Sequence, residues 1–315
     1  MNTSWLPSWR LSHTWVAGLL TSVAAILLAG REVPVSTQLV CLAALVAVTG
    51  LPHGAVDHLA GRRLLEGSFG RTWPLPFAAG YLLLAGALVA AWITAPSLTL
   101  VSFLLLSALH FGLEDVEPGL YPRIAVGLAV VLRGLLPVAG PILGRPGETA
   151  EIFSWLLPGS DPVAVRDAVG TIGAQLEPYL LASWILLAGA HLFAGRRGHR
   201  RHLGAAFEIL ALMALMRLLP PLLAFAVYFC GWHSVRHGLR IAAKLDPLEP
   251  GLGLLRYALH AVPLTLAALA LAASAYWILS AGSTSSVALA QTLFVGLAAL
   301  TLPHMALHEA ARLRG

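Results

Sequence analysis

Two histidines four residues apart, His233 and His237, follow an apolar run in the stretch FCGWHSVRH. On an α-helix, side chains at positions i and i+4 lie on the same face, so both imidazoles can bind one ion. Ionisable side chains are costly inside a membrane segment and usually mark a functional site there. Imidazole is a good ligand for zinc, copper, iron and nickel. The pair therefore predicts part of a transition-metal site.

Other histidines stand in a similar position, at the end of a long apolar run. They belong to the motifs GLPHGAVDH, ALHFGLED, GAHLF and LPHMALHE and are His53, His58, His110, His191, His304 and His308. Small or helix-breaking residues flank several of them: Gly54, Gly112, Pro52 and Pro303. Glycine permits close approach of two helices, and proline can break a helix and redirect the next side chain. The pattern predicts that histidines from separate helices converge on a shared cavity.

Three carboxylates, Asp57, Asp115 and Glu208, lie near these histidines in the predicted helices. Histidines that bind a metal usually donate their second ring N–H to such an acceptor. We therefore interpret the three carboxylates as hydrogen-bond partners of metal ligands. The alternatives are helix-end polarity for Asp57 and Asp115, and a salt bridge to the arginines of residues 196–201 for Glu208.

The elements that must position these residues are membrane helices. The chain has 315 residues, of which 58% are hydrophobic and 11% are charged, whereas soluble domains carry about 25% charged residues. Its apolar runs are long and lack the alternation of barrel strands, which predicts an all-α, polytopic integral membrane helix bundle. A net charge of +5 does not indicate nucleic-acid binding, because the basic residues lie in short loops between apolar runs.

We predict about ten transmembrane segments in one domain that spans residues 1–315. The segments cover residues 14–30, 36–52, 74–94, 97–112, 122–143, 178–194, 203–219, 221–238, 254–280 and 286–305. The basic residues follow even-numbered segments: Arg62, Arg63, Arg71, Arg196, Arg197, Arg200, Arg201, Arg236, Arg240, Lys244, Arg312 and Arg314. The positive-inside rule then predicts that both termini are cytoplasmic. The stretch 144–177 is predicted to be an extracytoplasmic loop with an interfacial helix.

Four motifs of the sequence, in their order along the chain, resemble the Brp/Blh family of membrane β-carotene 15,15'-dioxygenases. They are PHGAVDH, LHFGLED, PPLLAFAVYFCGWHSVRH and LPHMALH, and the resemblance extends from about residue 37 to residue 308. It implies a non-haem Fe(II) held by four histidines, which in this chain are His53, His110, His233 and His237. Two further histidines, His58 and His304, also occupy motif positions. We interpret them, like the three carboxylates, as neighbours of ligands.

The resemblance also implies a function. It implies that the protein is a multi-pass protein of the cell membrane that cleaves β-carotene at its central double bond with O2. The products would be two molecules of all-trans-retinal, with a functional link to a retinal-binding rhodopsin. The chain would hold the polyene against the metal and exclude water.

The polyene would need a tunnel, and an aromatic run precedes the ligand pair. We take Phe225, Tyr228 and Trp232 as candidates to line this tunnel, although ordinary helix packing or an interfacial aromatic belt would also explain them. The ligands lie near the predicted cytoplasmic ends of helices, whereas a carotenoid is about as long as the hydrocarbon core is thick, roughly 30 Å. We therefore expect a tunnel that lies largely in the membrane plane, or bends sharply, and opens sideways to lipid.

Two other functions fit part of the pattern. A di-iron membrane desaturase or hydroxylase uses eight or more histidines in HxxxH and HxxHH boxes. The segments HSVRH and HMALH fit the first box, but the sequence contains no HxxHH. A histidine-gated metal transporter would need polar residues along a pathway across the membrane, which the odd-numbered segments lack. One iron per chain or two distinguishes the first alternative, and metal uptake into vesicles tests the second.

Overall fold

The computed structural model of the chain describes residues 6–314, and their side chains at residues 9–117 and 119–311. Within these residues the structure is all-α, without a β-strand, as the composition predicts. The α-helices are α1 Leu6–Leu28, α2 Val35–Leu45, α3 Leu51–Ala55, α4 Asp57–Phe69, α5 Pro74–Thr94, α6 Pro96–Asp115, α7 Val126–Gly144, α8 Pro146–Leu156, α9 Pro162–Gly195, α10 Arg200–Leu218, α11 Pro221–Ala226, α12 Val235–Leu245, α13 Pro250–Ser280 and α14 Ser285–Arg314. Two π-helical segments, Val46–Gly50 and Val227–Ser234, join α2 to α3 and α11 to α12. The side chains of Arg312 and Arg314, used above for orientation, lie outside the described residues.

In the described part of the chain, eight helical stretches are long and apolar enough to cross a membrane. They are Trp9–Leu28, Val35–Thr72, Pro74–Thr94, Pro96–Asp115, Arg123–Gly144, Pro162–Gly195, Pro250–Ser280 and Ser285–Ala311. Large apolar side chains cover their outer faces; Leu83 on α5 is 72% exposed and Trp277 on α13 is 78% exposed. Exposure of so large an apolar surface to water is unfavourable, whereas lipid can cover it. The fold is therefore that of a multi-pass membrane protein.

Two of the ten predicted segments, 203–219 and 221–238, form helices that do not reach the hydropathy of a membrane-crossing helix. Charged side chains such as Glu208 in α10 and Arg236 in α12 lower their hydropathy, and both of these side chains are buried. These helices lie inside the bundle, where Trp232 is fully buried. A helix that faces other helices instead of lipid can carry charged groups, provided that they are paired.

The stretch 144–177, predicted as a loop with an interfacial helix, is mostly helical. It contains α8 and the first half of α9. The start of α9 is well defined, because Pro162 occupies the first helical turn and the Asp161 carboxylate accepts a hydrogen bond from the Val163 N–H at 3.0 Å. The short helix predicted within this stretch is present as α8. Most of the rest is not a loop, because α9 starts well before its apolar run does.

Close packing fixes α6 against α7. A Cβ atom on Gly112 would overlap the backbone carbonyl of Val130, and one on Gly134 would overlap the carbonyl of Ala108. The two helices therefore approach through glycines on both sides, as expected for Gly112. The same expectation for Gly54 was wrong, since nothing in the described structure lies within 4 Å of a Cβ atom built there.

Candidate metal centre and substrate cavity

Among the described residues, histidines from five helical segments form one buried cluster. They are His53 on α3, His110 on α6, His233 on the second π-helical segment, His237 on α12 and His304 on α14. Each is at most 9% exposed, and neighbouring ring centroids lie 4.9 to 5.6 Å apart. We call this group the five-histidine cluster. It unites the four predicted ligands with His304, which was expected to lie beside them.

The π-helical segments give two of these histidines their direction. The segment Val46–Gly50 ends three residues before His53, and the segment Val227–Ser234 contains His233. The wider π-helical turn rotates the following side chains relative to an α-helix, and such segments occur mostly at functional sites. The two segments pack against each other so closely that a Cβ atom on Gly50 would come within 2.9 Å of a ring atom of Phe229.

Carboxylates fix two of the imidazoles from outside the cluster. The Nδ1 of His304 lies 2.8 and 2.9 Å from the two carboxylate oxygens of Asp57. The Nδ1 of His237 lies 3.4 Å from Oε2 of Glu114. An ionised carboxylate can only accept a hydrogen bond, so both imidazoles donate through Nδ1. This is the usual arrangement of a histidine whose Nε2 binds a metal.

Two more imidazoles have an oxygen atom near Nδ1. His53 donates to the backbone carbonyl of Gly50, one helical turn earlier. The Nδ1 of His233 lies 3.6 Å from Oδ1 of Asp115. At this distance the contact is an electrostatic one and not a hydrogen bond. Hydrogen bonds thus orient three rings from outside, whereas Nδ1 of His233 has no hydrogen-bond partner in the described part of the chain.

Three Nε2 atoms of the cluster are buried and unsatisfied. The Nε2 atoms of His233, His237 and His304 have no hydrogen-bond partner in the described part of the chain. Buried polar atoms without a partner are rare and call for an explanation such as an ion. One ring nitrogen each from His53, His110 and His304 lies within 4.8 Å of the other two, a group that could hold a metal ion. The residues therefore fit a metal with imidazole ligands.

An apolar cavity of about 310 Å³ adjoins the cluster. His53, His110 and His304 form part of its wall, and its rim includes Leu82 and Leu271, which are 64% and 68% exposed. These leucines belong to α5 and α13, which both pack against α14 but make little contact with each other. The cavity therefore leads from the outer apolar surface to the histidines. Most of its other wall residues are apolar, among them Phe77, Phe103, Phe111, Phe225, Phe229 and Leu264.

One of the three aromatic candidates lies on the cavity wall. Phe225 stacks on Phe229, with ring centroids 5.4 Å apart and planes at 3°. Tyr228 and Trp232 do not belong to the wall: the Tyr228 hydroxyl donates to Asp115 at 2.6 Å, and the Trp232 indole N–H donates to a threonine of α1 at 2.9 Å. Their assignment assumed α-helical spacing, but they lie in a π-helical segment whose turns direct them to α6 and α1.

Glu208 was expected beside a metal ligand or in a salt bridge with residues 196–201, and both interpretations were wrong. Arg236 donates to its two carboxylate oxygens at 2.7 and 2.6 Å, and Arg133 makes a second, very close ion pair. All three side chains are at most 8% exposed. They form a buried charge network behind the cluster, on the side of α7 and α10. Glu208 therefore neutralises arginines and does not orient an imidazole.

Two of the predicted histidines lie apart from the cluster. The Nδ1 of His58 lies 3.0 Å from the carbonyl oxygen of Ala55, and its ring packs 5.7 Å from that of His260. His191 contacts the Tyr121 hydroxyl at 3.0 Å and a second histidine at 2.8 Å. Neither ring contributes to the group that could hold a metal.

Two residues of the site were missed in the sequence. Glu114 follows His110 by four residues, so the i, i+4 spacing could have revealed it. Tyr81 donates its hydroxyl hydrogen bond to Asp57 at 3.1 Å. It comes from α5, which carries no histidine motif, so nothing in the sequence singles it out.

The chain matches the profile of a family described as beta-carotene 15,15'-dioxygenase over residues 44–311. A protein of Halobacterium salinarum described as probable beta-carotene 15,15'-dioxygenase Blh is 33% identical, over 94% of this chain and 90% of its own length. The beta-carotene 15,15'-dioxygenase of uncultured marine bacterium 66A03 is 30% identical, over 85% of this chain and 91% of its own length. No solved structure matches the chain.

All members of the five-histidine cluster fall within the residues that match the family profile. The match therefore covers the helices that build the cluster and those that line the cavity. It confirms the resemblance that four separate motifs indicate in the sequence. The chain belongs to the β-carotene 15,15'-dioxygenase family.

Proposed function

We propose that this protein cleaves β-carotene at its 15,15' double bond with O2 and releases two molecules of retinal. Beyond the family assignment, one observation carries the proposal: an apolar cavity joins the lipid-facing surface to a buried group of histidines. A carotenoid dissolves in the bilayer, and such a cavity lets it reach the histidines without crossing water. A retinal-binding rhodopsin is the proposed consumer of the product.

The proposed metal is Fe(II), and its proposed ligands are His53, His110, His233 and His237. Imidazole ligands also suit zinc and copper, but cleavage by O2 requires a redox-active metal, which excludes zinc. When bound, the iron supplies the redox chemistry that activates O2. The buried, unsatisfied Nε2 atoms of His233, His237 and His304 support a metal in this place.

The chain's own task is to position the polyene. A substrate that arrives from lipid gains little hydrophobic energy in an apolar cavity, because lipid tails are as apolar as the cavity wall. Selection of the bond to be cut must therefore come from the shape of the cavity, which holds one part of the polyene beside the histidines. The stacked rings of Phe225 and Phe229 offer a flat apolar surface for this purpose.

Replacing Gly54 by leucine is expected to test this shape. Gly54 lies on the cavity wall next to His53, with nothing in the described structure within 4 Å of a Cβ atom. The leucine side chain would occupy space that the polyene needs, and misplacement by about 1 Å can lower a rate about 100-fold. Retinal formation should fall by about this factor, while the iron content stays unchanged. The stability of the helix should not decrease, since leucine is a better helix former than glycine.

A matched control for this variant is Gly80→Leu. Gly80 lies on α5 and also has no neighbour within 4 Å of a Cβ atom, among the described residues, but it does not line the cavity. The control should cleave β-carotene at the normal rate. Equal rates in the two variants would show that the space beside Gly54 is not used by the substrate.

We also propose that the bundle crosses the cell membrane ten times and that both termini are cytoplasmic. The two crossings beyond the eight apolar stretches would be α10 and the continuous helix of residues 221–245. Glu208 of α10 and Arg236 of α12 are buried among other helices, so a crossing would not expose these two side chains to lipid. A C-terminal reporter that is active only outside the cytoplasm should give no signal. A strong signal would place the C-terminus outside the cytoplasm and contradict this arrangement.

Expression in bacteria that accumulate β-carotene tests the proposed function. The expected result is loss of the yellow colour, with retinal as the aldehyde product, at one iron per chain. Two aldehydes of unequal length would contradict central cleavage. Two irons per chain would favour a desaturase or hydroxylase, and metal uptake into vesicles would favour a transporter.

A further inference from the structure

The five-histidine cluster contains one imidazole more than the four proposed ligands. We propose that His304 is a fifth ligand of the metal and that Asp57 holds it in position. The inference rests on the proposed function only in requiring a metal in the cluster.

His304 lies close to two of the proposed ligands. Among the described residues, His304 completes with His53 and His110 a group of ring nitrogens within 4.8 Å of one another. Its ring centroid lies 5.4 Å from that of His53 and 5.0 Å from that of His110. These three are also the histidines that line the cavity. His304 thus stands where the metal would face the substrate.

Hydrogen bonding at Nδ1 leaves the second ring nitrogen of His304 free. Nδ1 lies 2.8 and 2.9 Å from the two oxygens of Asp57 and donates to this carboxylate. The Nε2 atom is buried and has no hydrogen-bond partner in the described structure. A histidine that merely supported another ligand would direct its N–H towards that ligand. His304 directs it away from the cluster, to Asp57.

Side chains of two helices surround the Asp57 carboxylate. The carboxylate is 3% exposed, accepts a hydrogen bond from the Tyr81 hydroxyl at 3.1 Å, and lies 3.3 Å from Nε2 of His308. His304 and His308 are one turn apart on α14, so both rings face the same carboxylate. Asp57 is therefore fixed by side chains from α5 and α14. A carboxylate held in this way can fix the imidazole that bridges it to a metal.

Titration of the metal-free protein with Co(II) tests the proposal without any measurement of turnover. The visible spectrum of bound Co(II) reports the number and kind of its ligands. Removal of a residue that orients a ligand lowers metal affinity about 10–100-fold, and removal of a ligand should cost more. His304→Ala should therefore weaken Co(II) binding more than about 100-fold and alter its spectrum. Asp57→Asn should weaken binding about 10–100-fold.

Two further variants separate a ligand from a structural residue. His260→Ala removes an exposed imidazole on α13 and should leave affinity and spectrum unchanged. His304→Gly leaves room for free imidazole, whose addition should restore the wild-type spectrum. If His304→Gly does not fold, His304→Gln provides the comparison, since its side chain fills the space without an imidazole.

Two outcomes would contradict these expectations. Wild-type affinity and spectrum in His304→Ala, together with loss of Co(II) in His53→Ala, would overturn the fifth ligand and leave the proposed function intact. A wild-type protein that cleaves no β-carotene and binds no metal in the cluster would overturn the proposed function itself.

Discussion

Cleavage of β-carotene is expected to fall below detection, and bound iron to decrease, in each of four variants: His53→Ala, His110→Ala, His233→Ala and His237→Ala. Each substitution removes a nitrogen from the cluster and leaves the other imidazoles without the ion that would satisfy their buried Nε2 atoms. Retinal yield and iron per folded protein are the measurements. His260→Ala is the control and should behave like the wild type. Near-normal turnover in any of the four would remove that residue from the ligand set.

Loss of activity must be separated from loss of fold. His233 is fully buried, so its truncation also leaves a cavity in the core. Thermal unfolding of the metal-free variants resolves the two effects. A cavity lowers the unfolding temperature of the metal-free variant, whereas loss of a ligand removes the stabilisation that added iron gives the wild type.

The largest effect on stability is expected for Glu208→Gln. Two buried guanidinium groups, those of Arg133 and Arg236, depend on this carboxylate. Removal of one partner of a buried ion pair costs about 3–5 kcal/mol, because the other charge stays buried without compensation. The unfolding temperature of the detergent-solubilised protein should fall markedly, while the iron content of the folded fraction stays normal.

Glu66→Gln is the matched control for that experiment. It removes the same charge from an exposed i, i+4 pair with Arg62 and should leave the unfolding temperature nearly unchanged. A Glu208→Gln protein with wild-type stability but without iron would place Glu208 in the metal site, as its position in the sequence first indicated. The two outcomes differ in both the unfolding temperature and the iron content.

The sequence identifies helices and histidines well because both depend on local patterns. Apolar runs predict the membrane class, and the motifs predict that His53, His110, His233 and His237 meet. Prediction of membrane helices from the sequence fails where a polar segment is helical, as in residues 162–177. It also fails where charges lower the hydropathy of an interior helix. Length and hydropathy alone do not reveal whether a charge will meet a partner, as Glu208 does.

The direction of a side chain around its helix was hard to predict. His58 lies five residues after His53, which on an α-helix turns it about 140° away, so a shared motif did not mean a shared site. The π-helical segments rotate side chains around the helix, and the amino-acid composition does not predict this rotation. It explains why Tyr228 and Trp232 do not face the cavity. His304 and Asp57 meet across 247 positions of the chain. Such a contact requires the packing of α14 against α4, which the local pattern does not specify.

The opening between α5 and α13 has a kinetic consequence. An enzyme that takes its substrate directly from the bilayer meets it in a two-dimensional solvent, so occupancy follows the mole fraction of β-carotene in lipid and not its amount per volume of buffer. Extra lipid or detergent dilutes the substrate at constant total concentration and slows the reaction. An apparent KM for such an enzyme therefore has meaning only as a ratio of carotenoid to amphiphile.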